Sequence, residues 1–179
     1  MTGAGYVYGK ALYHLAREES LTQAVLDELE VLEKIFSEAP DFLRLMASPN
    51  LSKEERCAVL DRCFRGNVHG YVLNFLKLLM EKGHFRRVPQ CVSAFRKVYY
   101  EEHGILPVQA TTAVELSAEQ AARLEEKLGT LTGKKILLTN RVDAAVLGGV
   151  RLDYDGKRLD DTVAHRLEGI RRLLANTVL

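Results

Sequence analysis

The sequence predicts a mainly α-helical protein, with a six-helix bundle in residues 1–104 followed by a small α+β domain in residues 105–179. Two observations predict this division. Up to about His103, apolar residues recur every three to four positions, which is typical of amphipathic helices. After Gly104 they recur at every second position, which is typical of strands with one buried face. We therefore expect two domains, each with a core of its own.

The first three helices are predicted from apolar stripes and from the residues that interrupt them. Tyr8, Leu12 and Leu15 share one face of a first helix. A second helix covers residues 21–38, where apolar residues follow a four-three-four spacing. Pro40 can begin a short third helix, because the first helical position needs no amide donor.

The next three helices have clear start and stop signals. Ser52 and Glu55 have the spacing of a capping box, in which each side chain binds the backbone amide of the other residue. A fifth helix is predicted over Val68–Lys82, where Gly83 ends it, and a sixth over Pro89–His103.

The first and fifth helices carry more apolar residues than one buried face needs. Tyr6 and Tyr13 lie off the stripe of the first helix, and Leu73, Leu78 and Met80 make several faces of the fifth apolar. Two interpretations fit this pattern equally well. Both helices occupy a crowded core, or they form a groove that receives an amphipathic helix from a partner.

The second domain begins with a strand and a helix. Every second residue from 108 to 114 is predicted to lie on one face of the strand. These residues are Val108, Ala110, Thr112 and Val114. The helix that follows has a capping box at Ser117 and Gln120 and an apolar stripe of Leu124, Leu128 and Leu131.

The C-terminal block contains a strand from Lys135, a Gly148-Gly149 pair, a hairpin and a closing helix. In the hairpin, Asp155-Gly156 supplies the positive φ angles of a tight turn. The run Asp160–Thr162 offers side-chain oxygens that cap the last helix. The apolar stripe of that helix consists of Val163, Leu167, Ile170 and Leu174. The predicted element order of this domain is strand, helix, strand, strand, helix.

Composition and charge disfavour several classes of protein. The 25 basic and 24 acidic residues leave a formal charge of +1, so the chain as a whole lacks the charge of a general nucleic-acid binder. Cys57, Cys63 and Cys91 are an odd, widely spaced set, which we expect to be small buried hydrophobes in a reducing compartment. Neither a signal or transit peptide nor a stretch of roughly 20 apolar residues is evident, so no direct membrane insertion is predicted.

No motif in the sequence predicts catalysis, a cofactor or a metal. The run Gly129–Lys135 invites comparison with a phosphate-binding loop, but it has three residues between its glycines where that loop needs four. We expect a helix C-cap at Gly129 and a turn at Gly133. The five histidines have no Cys or His partner at a metal-ligand spacing, and no serine has a nucleophile-elbow context. We therefore expect neither enzymatic activity nor a cofactor.

Two basic clusters suggest an alternative function. They are the run His-Phe-Arg-Arg at residues 84–87 and the pair Arg171-Arg172. Arginines beside an aromatic residue can contact RNA, so a helical RNA-binding or transcription-associated adaptor is the alternative hypothesis. The net charge near zero and the thin aromatic content of these clusters disfavour nucleic acid as a partner.

One part of the sequence has a specific pattern. It runs from Ile136 through Asn-Arg-Val-Asp at 140–143 to Val-Leu-Gly-Gly-Val at 146–150, followed by Leu159-Asp160, Val163 and Arg166-Leu167-Glu168. The run Tyr8–Leu12 and the helix end Leu78–Gly83 add weaker matches. With these residues, and over essentially its whole length, the chain resembles the delta subunit of bacterial F-type ATP synthase, the relative of the mitochondrial oligomycin-sensitivity-conferring protein. The structural residues of this motif are Gly148, Gly149, Asp160 and Leu167.

The resemblance implies a non-catalytic stator subunit of the proton-translocating ATP synthase. In this family the N-terminal six-helix domain binds the N-terminal helix of an alpha subunit, in a groove between the first and fifth helices. The C-terminal domain binds the C-terminal end of the b subunits of the peripheral stalk. Carried over by position, the residues that line the alpha-subunit groove are Tyr8, Ala11 and Leu78. Three further candidates are alternatively bundle core, and they are Leu12, Phe75 and Leu79.

The resemblance also implies one copy per complex, attached peripherally at the cytoplasmic face of the bacterial cell membrane. The sequence departs from the family pattern at four positions. Asp161 and Thr162 stand where the family usually has Gly and Ser, Lys82 replaces a common Asn, and His84 replaces a common Arg. Thr162 keeps a hydroxyl for capping, so we expect the start of the last helix to be preserved.

Overall fold

The computed structural model describes residues 3–46, 48, 51–163 and 165. The chain divides between Tyr99 and Tyr100 into two compact units, the first helical and the second built around a sheet. The helices are α1 (Ala4–Glu18), α2 (Thr22–Glu38), α3 (Pro40–Met46), α4 (Lys53–Phe64), α5 (Gly70–Glu81), α6 (Val88–Glu102) and α7 (Ala118–Thr132). The strands are β1 (Ile105–Thr112), β2 (Lys135–Val142), β3 (Val150–Tyr154) and β4 (Lys157–Asp160), with short 3-10 turns at Phe85–Arg87 and Ala144–Val146. None of the described helices combines the length and the apolar content that crossing a membrane requires.

The predicted fold class is confirmed as a mainly helical chain with a small C-terminal sheet. In the described residues, six α-helices precede β1, and their ends differ from the predicted ones by at most two residues. The predicted number of strands was wrong. The sheet has four strands, because β2 and both arms of the hairpin, β3 and β4, all join it.

Both predicted capping boxes are present. The Ser52 hydroxyl accepts from the Glu55 amide at 3.1 Å, and the Glu55 carboxylate accepts from the Ser52 amide at 2.8 Å. Ser117 and Gln120 make the equivalent pair of bonds at 3.2 and 3.0 Å. These bonds satisfy amides that the first turn of a helix leaves without partners.

Small residues bring α1 and α6 into close contact. A Cβ atom on Gly9 would overlap the carbonyl oxygen of Cys91 and would lie 2.9 Å from the Cβ atom of Ala94. One on Gly5 would lie 2.8 Å from the Cβ atom of Gln90. The two backbones therefore approach more closely than any larger residue at these positions permits.

Aromatic rings fill the centre of the helical unit. The Phe36 side chain of α2 is 1% exposed, and its ring centroid lies 5.8 Å from that of Phe42, 5.9 Å from Phe85 and 6.1 Å from Phe64. Stacked and edge-on contacts of this kind add to the stabilisation from burial. They attach α3, α4 and the 3-10 turn before α6 to the C-terminal end of α2.

Three ion pairs connect helices at the edge of this core. Arg96 of α6 donates to Glu30 at 2.9 Å and to Glu33 at 2.5 Å, both on α2. Lys77 of α5 lies 2.7 Å from a carboxylate oxygen of Asp61 on α4. The hydrogen bond from Lys77 holds the pKa of Asp61 below its usual range, so this carboxylate stays ionised at neutral pH.

The structure corrects the expectation that all three cysteines are buried. Only Cys91 is buried, whereas Cys57 is half-buried and Cys63 is exposed. Cys57 and Cys63 both lie on α4. The buried residues of this helix are Leu60 and Phe64. The short apolar face of this helix could not be placed from its sequence pattern.

We expect alkylation to separate Cys63 from Cys91. The Cys91 side chain is 1% exposed, and burial raises the pKa of its thiol to about 11, so neither access nor the reactive thiolate is available at pH 8. Iodoacetamide at that pH should modify Cys63 in the folded chain and leave Cys91 unmodified until urea is added. Peptide mass spectrometry measures both sites, and equal rates in the absence of urea would contradict the burial of Cys91.

The sheet of the second unit has the strand order β2-β1-β3-β4. β1 pairs parallel with β2 and antiparallel with β3, and β4 pairs antiparallel with β3. Helix α7 makes the crossover that parallel strands require, and its leucines cover one face of the sheet. The buried residues of this small core are Leu106, Val108, Ala110 and Leu152, with Leu124 and Leu128 of α7 packed against them.

Three details of this unit differ from the prediction. Val114 lies beyond the end of β1 and is 73% exposed, and Leu131 is 82% exposed and so does not belong to the packed stripe of α7. The helix does not end at Gly129. It continues to Thr132, and Gly133 with a φ of 67° forms the left-handed cap that ends it.

The hairpin turn and the cap of the last helix are confirmed. Asp155 and Gly156 connect β3 to β4 with φ angles of 45° and 72°. The Thr162 hydroxyl accepts from the amide of His165 at 3.2 Å, so threonine caps this helix. The rest of the predicted apolar stripe, from Leu167 onward, lies outside the described residues.

The motif residues before and after the hairpin shape the chain around β3. Gly149 has a φ of 80°, and a Cβ atom there would lie 2.5 Å from the carbonyl oxygen of Asp161. A Cβ atom on Gly148 would make only ordinary contact with Val163. Asp160 accepts from the hydroxyl of Thr162 at 2.6 Å and from its amide at 3.1 Å, and these bonds hold the pKa of Asp160 below its usual range.

Alanine at position 149 is expected to destabilise the sheet unit more than alanine at position 156. Both glycines have positive φ angles, but a Cβ atom on Gly156 meets nothing within 4 Å, whereas one on Gly149 meets backbone. We expect Gly156→Ala to lower the free energy of unfolding by about 1 kcal/mol and Gly149→Ala to lower it by about 2–3 kcal/mol. Hydrogen exchange of the β1 and β3 amides measures the difference, and equal protection in the two variants would contradict the close approach at Gly149.

Candidate docking sites

Helices α1 and α5 lie side by side and run in opposite directions. Near the start of α1, the ring of Tyr8 lies 5.8 Å from the ring of His84, which follows the end of α5. Just after the end of α1, Glu19 accepts a hydrogen bond from the hydroxyl of Tyr71, in the first turn of α5. Contacts at both ends therefore hold the two helices beside each other.

The hydrogen bond between Glu19 and Tyr71 can persist at neutral pH, because the Tyr71 hydroxyl keeps its proton there. The negative charge of Glu19 raises the pKa of the Tyr71 hydroxyl, and burial and the hydrogen bond act in the same direction. Because the ordinary pKa of tyrosine is already about 10, the hydroxyl remains a protonated donor under these conditions. The ring of Tyr71 also lies 5.0 Å from that of His69, which caps α5 by accepting from the Tyr71 amide at 3.3 Å.

An open groove of about 300 Å³ lies between α1 and α5. Apart from one amide side chain, the described residues of its lining are aliphatic or aromatic, and none of them is charged. The lining residues are Tyr8, Ala11, Leu12 and Leu15 of α1 and Tyr71, Asn74, Phe75 and Leu78 of α5.

The structure brings Tyr8, Ala11 and Leu78 together in this groove. Leu78 is 39% exposed, whereas the other leucines of α5 are buried. Ala11 is also exposed, and its small side chain leaves the wall of α1 low at that point. Tyr8 is half-buried against His84.

The three further candidates divide between groove and core. Leu12 and Phe75 line the groove, but they are 4% and 7% exposed, so most of each side chain belongs to the core. Leu79 is fully buried and is not among the described lining residues, so its position fits the alternative that it belongs to the bundle core. It follows Leu78 by one residue, and one residue turns a helix by about 100°, so the two side chains face different surroundings.

Sequence reasoning missed Leu15, Tyr71 and Asn74. Leu15 was assigned to the buried stripe of the first helix, but it is 38% exposed. Tyr71, Asn74 and Leu78 follow the three-four spacing of one helix face, a signal that was present in the sequence. The polar Asn74 concealed it, because apolar periodicity takes no account of a polar residue within a stripe.

Both interpretations of the surplus apolar residues hold in part. Tyr13, Leu73 and Met80 are core, with 0%, 8% and 2% of their side chains exposed. Leu78 and Leu15 instead face the open groove.

Within the described part of the chain, no group of three His, Cys, Asp or Glu residues could hold a metal ion. An apolar channel between two helices is suited to receiving a third helix.

A second open surface lies on the sheet. A cavity of about 680 Å³ borders β1, β2 and the hairpin, and its lining includes Pro107, Gln109 and Thr139. These residues alternate with the ones that α7 covers, so they belong to the opposite face of the sheet. The lining also contains the ion pair of Arg158 and Asp153, whose atoms are 2.6 Å apart. This surface is therefore more polar than the groove.

The basic cluster at residues 84–87 does not form a surface that could stack on bases. Phe85 is 1% exposed and packs against Phe36, so its ring is part of the core. Arg86 and Arg87 are exposed, but the aromatic residue of the same run, Phe85, is not exposed beside them. The pair Arg171-Arg172 lies outside the described residues.

Comparisons with known proteins agree on one family. The family model described as "ATP synthase delta (OSCP) subunit" matches residues 5–174. The chain is 33% identical over 168 residues to the "ATP synthase subunit delta" of Lacticaseibacillus casei (strain BL23), which covers 93% of this chain and 92% of that protein. It is 29% identical over 167 residues to the protein of the same name from Chlorobium chlorochromatii (strain CaD3), with 93% of each chain covered.

The fold has also been seen in a solved structure. A chain in the cryo-EM structure of the Toxoplasma gondii mitochondrial ATP synthase hexamer superposes with a TM-score of 0.75, over 97% of this chain and 98% of that one. The two sequences are 20% identical, so this likeness concerns the fold alone.

Proposed function

This chain belongs to the ATP synthase delta (OSCP) subunit family and is a stator subunit, and we propose that it links the catalytic head of the F-type ATP synthase to the peripheral stalk. Under this proposal the helical unit binds the N-terminal helix of an alpha subunit, and the sheet unit binds the C-terminal end of the b subunits. One copy serves each complex, peripherally, at the cytoplasmic face of the bacterial cell membrane. The chain itself catalyses no reaction.

The open apolar groove between α1 and α5 carries the alpha-subunit part of the proposal. Leu78 and Leu15 are exposed there, and no described residue covers their apolar side chains. The low wall at Ala11 lets the backbone of a docked helix come close. An amphipathic helix with apolar anchors at i, i+3, i+4 and i+7 would cover this surface.

The mechanical task of a stator fits such a surface. The rotating central stalk applies torque to the catalytic head, so the stator must hold the head with bonds that dissociate slowly. Anchors on rigid helices give such bonds, because little conformational entropy is lost when the partner binds. The contacts of Tyr8 with His84 and of Tyr71 with Glu19 support this rigidity.

The face of the sheet that no described element covers supports the b-subunit part of the proposal. Its polar and apolar residues, among them Gln109, Thr139 and the half-exposed Leu137, suit a helical partner with both kinds of side chain. Affinity purification of the whole complex, followed by cross-linking at Gln109 or Thr139, tests this assignment. Cross-links to a b subunit are expected, and their absence when the complex is intact would argue against this face.

Titration with a peptide tests the alpha-subunit assignment. The full chain is titrated with a synthetic peptide of the cognate alpha-subunit N-terminus, and a scrambled peptide of the same composition serves as the control. We expect saturable binding of the first peptide alone, and weaker binding after Tyr8→Ala. Equal binding of both peptides, or no binding of either, would refute the groove assignment.

The RNA-binding alternative is not supported. The aromatic residue of the basic cluster at 84–87, Phe85, is buried in the core and cannot stack on a base. The family model that matches the chain is that of ATP synthase delta subunits. RNA binding that falls steeply with salt, by a chain that fails to copurify with ATP synthase, would be needed to restore it.

A further inference from the structure

One polar side chain interrupts the apolar lining of the α1–α5 groove. Asn74 lies on α5 between Tyr71 and Leu78, at spacings of three and four residues, so all three belong to the same helix face. Asn74 is exposed, and within the described part of the chain its side-chain amide has no hydrogen-bond partner. Its own protein therefore leaves both the donors and the acceptor of this amide to solvent.

The surroundings of Asn74 offer it no polar neighbour within the groove other than tyrosine hydroxyls. On the α1 wall, Ala11, Leu12 and Leu15 have side chains that neither donate nor accept a hydrogen bond, and Tyr8 has a hydroxyl. The hydroxyl of Tyr71 already donates to Glu19. When a helix covers the groove, water leaves this amide, and an amide that is buried without partners weakens the complex.

This arrangement resembles the single polar residue in the apolar seam of a coiled coil. There a buried Asn weakens the assembly slightly but selects one register and one partner, because only the correct alignment supplies its hydrogen bonds. The same logic applies to a helix lying in an apolar channel. Sliding that helix by one turn would place an aliphatic side chain against the amide.

We propose that Asn74 determines the register and the choice of the docked helix by bonding to one uncharged amide or hydroxyl side chain within its apolar stripe. This inference rests on the proposed function, since the occupant is the N-terminal helix of the alpha subunit. Asn74 is thus a specificity-determining residue, whereas Leu78 and Tyr8 supply affinity.

A double-mutant cycle on the full chain tests the inference. The chain variants are Asn74→Leu and Asn74→Gln, and the peptides are the cognate alpha-subunit N-terminus and versions in which each polar residue of its apolar stripe is replaced by leucine in turn. Ser93→Leu is the matched control, because Ser93 is an exposed polar residue on α6 that does not line the groove. Isothermal calorimetry gives the affinities, and circular dichroism verifies that all variants melt alike.

The expected result is a loss of about tenfold in affinity for Asn74→Leu, although leucine adds apolar surface. Asn74→Gln should recover part of this loss, and Ser93→Leu should bind like the wild type. One peptide position alone should couple to Asn74, so that its replacement by leucine cancels most of the effect of Asn74→Leu.

Two results would overturn the inference while the proposed function stands. In the first, Asn74→Leu binds the wild-type peptide as tightly as the unmodified chain or more tightly, which means that the amide is only a solvated point in the groove. In the second, no peptide position couples to Asn74. Absence of saturable binding by the wild-type chain is a different outcome, because it would refute the groove assignment and this inference together.

Discussion

Leu78→Asp is expected to weaken binding of the alpha-subunit peptide by about 30- to 1,000-fold, which corresponds to about 2–4 kcal/mol. Leu78 lines the groove and is 39% exposed in the free chain, so docking would bury the rest of its side chain. An aspartate at this position would lose its water to an apolar partner, and none of the described lining residues is a cation that could compensate. The loss should appear mainly as faster dissociation.

A matched substitution separates this effect from a general loss of solubility or fold. Leu131→Asp makes the same chemical change at a leucine that is 82% exposed on α7, in the other unit. We expect it to leave the affinity for the peptide unchanged. Surface plasmon resonance of both variants gives the rates, and similar peptide affinities for the two would show that the peptide binds elsewhere.

Gly9→Ala is expected to destabilise the helical unit by about 2–3 kcal/mol, even though alanine is the better helix former by about 1 kcal/mol. The new methyl group would overlap the carbonyl oxygen of Cys91 and lie 2.9 Å from the Cβ atom of Ala94. Neither neighbour can move freely, because a backbone carbonyl inside α6 is fixed by the helix itself. The two helices must separate, and the apolar contacts around them are weakened.

The control for Gly9→Ala is Gly70→Ala. Gly70 is the first residue of α5, and a Cβ atom there would meet nothing within 4 Å. Urea denaturation followed by circular dichroism at 222 nm reports on the helices of both variants. We expect a lower midpoint for Gly9→Ala and an unchanged or slightly higher one for Gly70→Ala. Equal midpoints would contradict the close packing of α1 on α6.

Local signals in the sequence were sufficient for most element boundaries. The capping boxes at Ser52 and Ser117 and the turn at Asp155-Gly156 depend on residues within three positions of one another, so tertiary context does not alter them. The same locality explains why the short helix from Pro40 could be predicted. The predicted element order had one strand too few because it counted the hairpin as a single strand, although both arms of the hairpin were predicted and they do pair.

Burial could not be predicted in the same way. Leu78 and Leu79 are chemically identical neighbours, yet one lies in the groove and the other in the core, because their surroundings come from other helices. Leu131 continues the leucine stripe of α7 past the edge of the sheet, where nothing covers it. Gly9 had no periodic signal at all, since only the position of α6 gives its missing side chain a purpose.

Some groove residues could be predicted from the sequence, and others became evident only from the packing of the helices. Resemblance to the family pointed to Tyr8, Ala11 and Leu78 as groove residues, whereas periodicity alone left a groove and a crowded core equally open. Asn74 could be found by neither route, because it is polar within an apolar stripe and belongs to none of the motifs that carry the resemblance. Its role was visible only after the two helices that form the channel had been placed beside each other.

The tethers at both ends of the channel determine how force would pass through it. Tyr8 with His84 and Tyr71 with Glu19 hold the walls at opposite ends, so a helix lying between them contacts the wall along its length. A tangential pull on that helix loads all of these contacts in shear, and they must fail together. A pull at one end across the channel would instead peel them apart one after another. The direction of loading, more than the number of contacts, would then decide how long the joint survives.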